Sequence, residues 1–183
     1  MRHGTFCTTA TAYRVQGFSL VEFVLVLVIL GILASIAIPR FIELREDAVI
    51  SSLKSVKGAL HSTVNIYQPL AALRGVQTGN LLVNGANVSF HSGYPEGHWN
   101  NTFRHILDIS SRSGFTSFNA RCSGYRLCGV GNRPTIPTVP GTNGGRGVII
   151  WPEGFRISER CFVYYYNRHD GSYPVIGMVD SGC

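Results

Sequence analysis

The stretch QGFSLVEFVLVLVILGILASIAIPRF, Gln16 to Phe41, decides the fold. Between Phe18 and Ile38 it carries one ionisable side chain, Glu22, in 21 positions. At 1.5 Å per residue these cover about 31 Å, against a hydrocarbon core of about 30 Å, so the segment is long enough to cross a bilayer once. A carboxylate at the centre of such a span costs roughly 2.5 to 3.5 kcal/mol, and ionisable residues there usually mark function. Glu22 therefore requires a physical reason.

A cleaved secretory signal has a shorter apolar region, of about 7 to 15 residues, and ends at a small-residue cleavage site. Here the apolar run is longer and continues through Pro39 into RFIELREDAVISSLKSVKGALHSTVNIY. Its apolar positions Phe41, Leu44, Ala48, Leu53, Val56, Leu60, Val64 and Tyr67 recur at helical steps, with Arg45, Lys54, Lys57, His61 and Asn65 on the other faces. That pattern predicts an amphipathic helix with one stripe packed on a domain. Pro39 removes one backbone hydrogen bond and is expected to kink or locally unwind the helix without ending it. Pro69 is expected to end or bend it, and Gly75 to cap it.

The flanks orient the span only mildly, because Arg2 and Arg14 precede it while Arg40 and Arg45 follow among Glu43, Glu46 and Asp47. The cysteines are more informative. Cys122, Cys128, Cys161 and Cys183 form an even set without CxxC or Cys/His zinc spacing, which favours disulfides in an oxidising compartment. The C-terminal part is thus expected outside the cytoplasm.

With 183 residues, 45% hydrophobic and 14% charged, the chain suits one globular domain plus an appendage. After Gly75 the texture changes to short apolar pieces between glycine, asparagine and proline, as strands and loops require. LLVNGANVSF carries an Asn-Gly turn signal, and WNNTFRHILDIS predicts a short helix. A long irregular loop is expected between Cys122 and Gly147. Residues 147–151, 160–167 and 173–180 read as strands, with Asp170-Gly171 as a hairpin turn between the last two. The fold class is α+β, a long helix packed against an antiparallel sheet.

If Asp170-Gly171 is a two-residue turn, Cys161 opposes Asp180 and Cys183 lies just past the hairpin end. Four cysteines allow three pairings. Cys161 with Cys183 and Cys122 with Cys128 is the favoured one.

Enzymatic chemistry finds little support. His91, His98 and His105 are seven apart, but Pro95 and Gly97 interrupt any helix that would align them, so they are weighed as loop and surface histidines and no metal site is expected. NGGRG at 143–147 leads into a strand, which makes it a turn and not a phosphate cradle. Asn87 and Asn100 head weak glycosylation patterns. No nucleophile-base pair is visible, and no cofactor is implied. Beyond Lys57 ten arginines face six acids. They are dispersed, so a solvated mixed surface is weighed above binding to DNA or other anionic surfaces.

RVQGFSLVEFVLVLVILGILASIAIPRF resembles a type IV pilin N-terminus: a basic leader ending in Gly17, a new N-terminal Phe18, a glutamate at the fifth position after the cut, and Pro39 further along. FIELREDAVISSLKSVKGAL and the ending CFVYYYN…PVIGMVDSGC resemble the mannose-sensitive haemagglutinin (MSHA) pilin branch in particular. The resemblance implies a leader, 1–17, removed by an inner-membrane prepilin peptidase that also methylates Phe18. Next come a transmembrane and filament-core helix, 18–38, an amphipathic helix, 39–74, and a globular head, 75–183. Cys7 is lost with the leader, which leaves the even cysteine count.

In the membrane Glu22 can sit near the cytoplasmic interface. In a lipid-free filament core it needs a cation, because an isolated buried charge is strongly unfavourable. The Phe18 amine of a neighbouring subunit is the nearest candidate, and the resemblance implies it too. Glu22 and Pro39 are thus the expected assembly residues.

The function so implied is a structural subunit of a type IV pilus, polymerised by an assembly platform and ATPase into an extracellular adhesive filament that attaches to host or abiotic surfaces. Before assembly the chain would sit once through the inner membrane with its head in the periplasm. A pseudopilin of a type II secretion system is the alternative, as is a minor or DNA-uptake pilin.

Overall fold

The structure is a computed structural model that describes residues 17–109 and 113–183. The leader before Gly17, with Arg2, Cys7 and Arg14, lies outside the described residues. The chain forms two compact units, Met1–Glu43 and Leu44–Cys183.

The long helix α1 covers Leu20–Leu73. It continues through both Pro39 and Pro69, so Pro69 does not end it. Its last turn closes around Gly75, at φ 67°, where the Gly75 N–H donates to the Ala72 carbonyl at 3.0 Å and the Val76 N–H to Ala71 at 2.9 Å. This is a Schellman cap, and the left-handed backbone it needs is why glycine stands there.

In the first unit α1 contributes Leu20–Ile38, 19 residues long and apolar enough to cross a membrane, with every side chain exposed. In the second unit the stripe Leu53, Val56, Leu60 and Val64 is buried at helical spacing. The packed stripe is shorter than the periodicity suggests: Phe41 and Leu44 are exposed, and packing begins at the partly buried Val49.

The head holds two sheets instead of one. β1 (Gly79–Val83), β2 (Ala86–His91) and β3 (Tyr94–Pro95) make a three-stranded antiparallel sheet. Asn84 and Gly85, both at positive φ, form the expected Asn-Gly turn. A π-helical turn, Trp99–Phe103, and the short helix α2, Arg104–Ile106, occupy the segment predicted as helical.

The second sheet runs β4-β5-β6-β7-β8, from Ser113–Phe115, Leu127–Arg133, Arg146–Pro152, Phe162–Asn167 and Val175–Val179. It corrects two expectations. The segment after Cys122 is not all loop, because β5 lies inside it. The sheet is not wholly antiparallel either, because β4 pairs with β5 in parallel. The three strands predicted near the C-terminus are β6, β7 and β8, antiparallel neighbours.

β6 and β7 are buried on both faces, and strand alternation sorts their side chains. Val148, Ile150, Val163 and Tyr165 pack with the α1 stripe, Trp99 and Phe103. Ile149, Trp151, Phe162, Tyr164 and Tyr166 face a second cluster with Ile136, Ile157, Cys122 and Cys128. A third cluster joins Ala71 to Leu81, Val83, Val88, Phe90 and Ile106.

Candidate functional site

The N-terminal segment carries the residues singled out by sequence. Gly17, Phe18 and Ser19 precede α1, and Phe18 is 74% exposed. The Phe23 N–H donates to the Ser19 carbonyl at 3.0 Å, and the Glu22 N–H points to Ser19 Oγ at 3.5 Å. Ser19 is thus the helix N-cap. Ser19-Leu20-Val21-Glu22 is the S-x-x-E pattern that begins many helices, with an acid in the first turn where the helix dipole favours it. This local reason for Glu22 was legible in the sequence but missed there. It does not account for the row of bare apolar side chains that follows.

Fully burying one Val, Leu, Ile or Phe side chain is worth about 1.5 to 3 kcal/mol. A surface exposing Phe23, Leu25, Leu27, Ile29, Ile32 and Leu33 together is far more apolar than water tolerates. Lipid or other protein chains must cover it. Pro39 lies within α1, one residue past this row.

The head is closed covalently. The structure joins Cys161 to Cys183, with Cα atoms 4.9 Å apart, and Cys122 to Cys128, at 5.6 Å. The β7–β8 register pairs Phe162 with Val179 and Tyr166 with Val175. That is the register of a two-residue turn at Asp170-Gly171, although pairing stops at Tyr166 and the connection is longer. Within it Asp170 Oδ1 accepts from the Ser172 N–H at 2.9 Å and from its hydroxyl at 2.6 Å, which holds the Asp170 carboxyl below its ordinary range.

The histidines are not arranged as the sequence suggested. His91 stacks on His169, with ring centroids 3.7 Å apart and planes 18° from parallel. Glu96 Oε1 lies 3.6 Å from His98 Nε2 and 3.7 Å from His169 Nε2. An acid therefore does join two of these rings, through a histidine, His169, that sequence spacing did not single out. His105 sits on α2 and is exposed. Among the described residues no group of three or more His, Cys, Asp or Glu side chains is arranged to hold a metal ion. Nearby Tyr165, fully buried, donates its hydroxyl to the Pro95 carbonyl, and burial pushes its pKa well up.

A groove of about 470 Å³ in the head runs between Val49, Ser52, Val56 and Ala59 of α1 and Ile109, Leu127 and Pro152. Arg45, Asp108, Arg126 and Glu153 also line it.

Comparison with known proteins bears on the N-terminal segment above all. Residues 13–38 match the family described as the prokaryotic N-terminal methylation motif. The chain is 40% identical over 53 residues to the type IV narrow pilus major component PilA5 of Thermus thermophilus, covering 29% of this chain and 46% of that protein. It is 36% identical over 91 residues to type II secretion system core protein G of Klebsiella pneumoniae, covering 46% of this chain and 62% of that protein. The chain thus spans about half the length of the relatives it matches. No solved structure matches it. The motif and both relatives make the chain similar to type IV pilus and type II secretion subunits, and the α+β architecture is consistent with a type IV pilin or pseudopilin fold. None of them singles out the MSHA branch.

Proposed function

We propose that the chain is the structural subunit of an MSHA-like type IV pilus, cut after Gly17, methylated at Phe18 and polymerised into an extracellular adhesive filament. The observation that carries this reading is the apolar stretch Leu20–Ile38, exposed at every position, in a segment that matches the N-terminal methylation motif. Such a surface suits two environments in turn, a bilayer before assembly and neighbouring helices after it. Glu22, in the first turn of α1, is the group that changes partner between them. At the bilayer edge, water and headgroups solvate it; in the filament, the Phe18 amine of a neighbouring subunit neutralises it.

The proposed partners are further copies of this chain, the prepilin peptidase, and the assembly platform with its ATPase, followed by host or abiotic surfaces. The head would face the periplasm before assembly, an oxidising compartment in keeping with its two disulfides. No cofactor enters this function.

The pseudopilin reading is favoured by one observation, the 36% identity to core protein G over 91 residues, a longer match than that to the pilus component. Electron microscopy of filaments sheared from cells, with mass spectrometry of their main protein, separates the two. A pilus subunit is the main protein of visible surface fibres and begins at methylated Phe18. A pseudopilin leaves the surface bare when expressed at its natural level. Gly17→Trp should leave uncut chain in the membrane, because a bulky side chain replaces the small residue at the cut site; the residues before Gly17 found attached in assembled fibres would contradict the processing scheme.

A further inference from the structure

Where the two sheets of the head meet, side chains from three separate chain segments converge. His91 ends β2, Glu96 and His98 follow β3, and His169 lies in the connection after β7. The junction is first a set of neutral hydrogen bonds. Asn167, 1% exposed, donates from Nδ2 to the His91 carbonyl at 2.9 Å and accepts from the His169 N–H at 2.9 Å. Ser92 Oγ donates to the His169 carbonyl at 3.0 Å. These bonds hold the β7–β8 connection against the β2–β3 hairpin, and the two stacked imidazoles lie directly on the joint.

We propose that the stacked pair His91 and His169, with Glu96 and His98 beside it, is a proton-sensitive latch that clamps the β7–β8 connection to the β2–β3 hairpin at neutral pH and releases it on mild acidification.

The geometry sets the sign. Rings with centroids 3.7 Å apart can share one charge only with difficulty and two hardly at all, because each imidazolium would face the other's positive ring. Arg146 of β6 adds a fixed positive charge nearby, and His98 acts in the same direction. Glu96 opposes them, but at 3.7 Å its oxygen is beyond hydrogen-bond reach of His169 Nε2, and it is shared with His98. His169 Nε2 is itself buried without a hydrogen-bond partner. Burial first, and His91 second, accordingly hold the His169 pKa below its ordinary value of 6.5, against the pull of Glu96. A released connection restores the ordinary value. The released form therefore takes up the proton first, so the clamp is at full strength above about pH 6.5 and weakens as the pH falls from there towards the folded pKa. What it frees is the exposed stretch Asp170 to Ser172.

The test is hydrogen exchange of the full chain in detergent micelles at about pH 7.5 and about pH 5.5, corrected for the intrinsic rate, with β6 as internal reference. Exchange of residues 91–96 and 168–174 should rise at least about threefold at the lower pH relative to β6. His169→Asn should abolish that rise. Asparagine accepts the φ of 65° found at this position, and both backbone hydrogen bonds of residue 169 survive. Unchanged exchange in the unsubstituted chain, or an undiminished rise in His169→Asn, would overturn the latch. Should that variant misfold, the NMR titration of the His169 ring in the unsubstituted chain decides: a midpoint below the ordinary histidine value supports the proposal, and one at or above it refutes it.

Discussion

In the unit that ends at Glu43, every described side chain from Phe18 to Ile38 is exposed, whereas in the unit that begins at Leu44 two strands are buried on both faces and two disulfides close the ends. Both stretches are rich in Val, Ile, Leu and Phe. The head brings its apolar side chains together from α1, β6 and β7, so its burial is internal. Among the described residues of its unit the N-terminal stretch has no second element to pack against, so its burial is left to lipid or to other chains. The same hydrophobic effect stabilises the head within one molecule and leaves the N-terminal helix dependent on what surrounds it.

A head stabilised by its own burial cannot lose a core residue without cost. Trp151, wholly buried in β6 in one cluster with Phe162 and Ile157, is the sharpest probe. Trp151→Ala should destabilise the head by about 3 to 5 kcal/mol, read from urea unfolding followed by tyrosine fluorescence and circular dichroism. A loss below about 1 kcal/mol would mean that the core is not where the structure puts it.

The two disulfides close loops of different length within the head. Cys161 and Cys183 are 22 residues apart and Cys122 and Cys128 are 6 apart. Chain-entropy arguments then give about 3 kcal/mol for the first bridge and about 2 kcal/mol for the second. Replacing each pair by serine should rank the two losses in that order in thermal unfolding, and equal losses would show that local strain outweighs loop closure. Val24→Leu, at an exposed apolar position of the first unit, should change head stability by about nothing. A measurable shift there would show that the two units do not fold separately.

How much of this could be read from the sequence depends on where the determining contacts lie. α1, its Gly75 cap, the Asn84-Gly85 turn and strands β6 to β8 were legible because period, caps and turn chemistry are local. β5 was not, because LCGVGNR reads as loop. Its glycines answer a demand from elsewhere in the chain: a Cβ at Gly131 would lie 2.0 Å from the Trp99 backbone nitrogen, and one at Gly129 would lie 2.4 Å from the Trp99 ring. The π-helical turn thus packs directly on the strand, and only tertiary structure reveals why it must be bare. β4 is three residues long and pairs in parallel, which leaves no local signature.

The candidate site divides in the same way. Gly17, Phe18 and Glu22 stand within six residues of one another and could be recognised as a motif. The histidine cluster is assembled from β2, the segment after β3 and the connection after β7, and no spacing in the chain announces it.

We propose that the N-terminal segment serves assembly while the head folds without it. Glu22→Val tests it most directly, with surface fibres and membrane-held mature subunit quantified in the same cells and Val24→Leu as the control. Removing one partner of a buried charge pair costs about 3 to 5 kcal/mol, which in the proposed filament would leave a neighbour's Phe18 amine unpaired. Insertion, cleavage at Gly17 and head stability should be unaltered, with mature subunit accumulating in the membrane and fibres lost or strongly reduced. Abundant normal fibres from the Glu22→Val strain would contradict the claim.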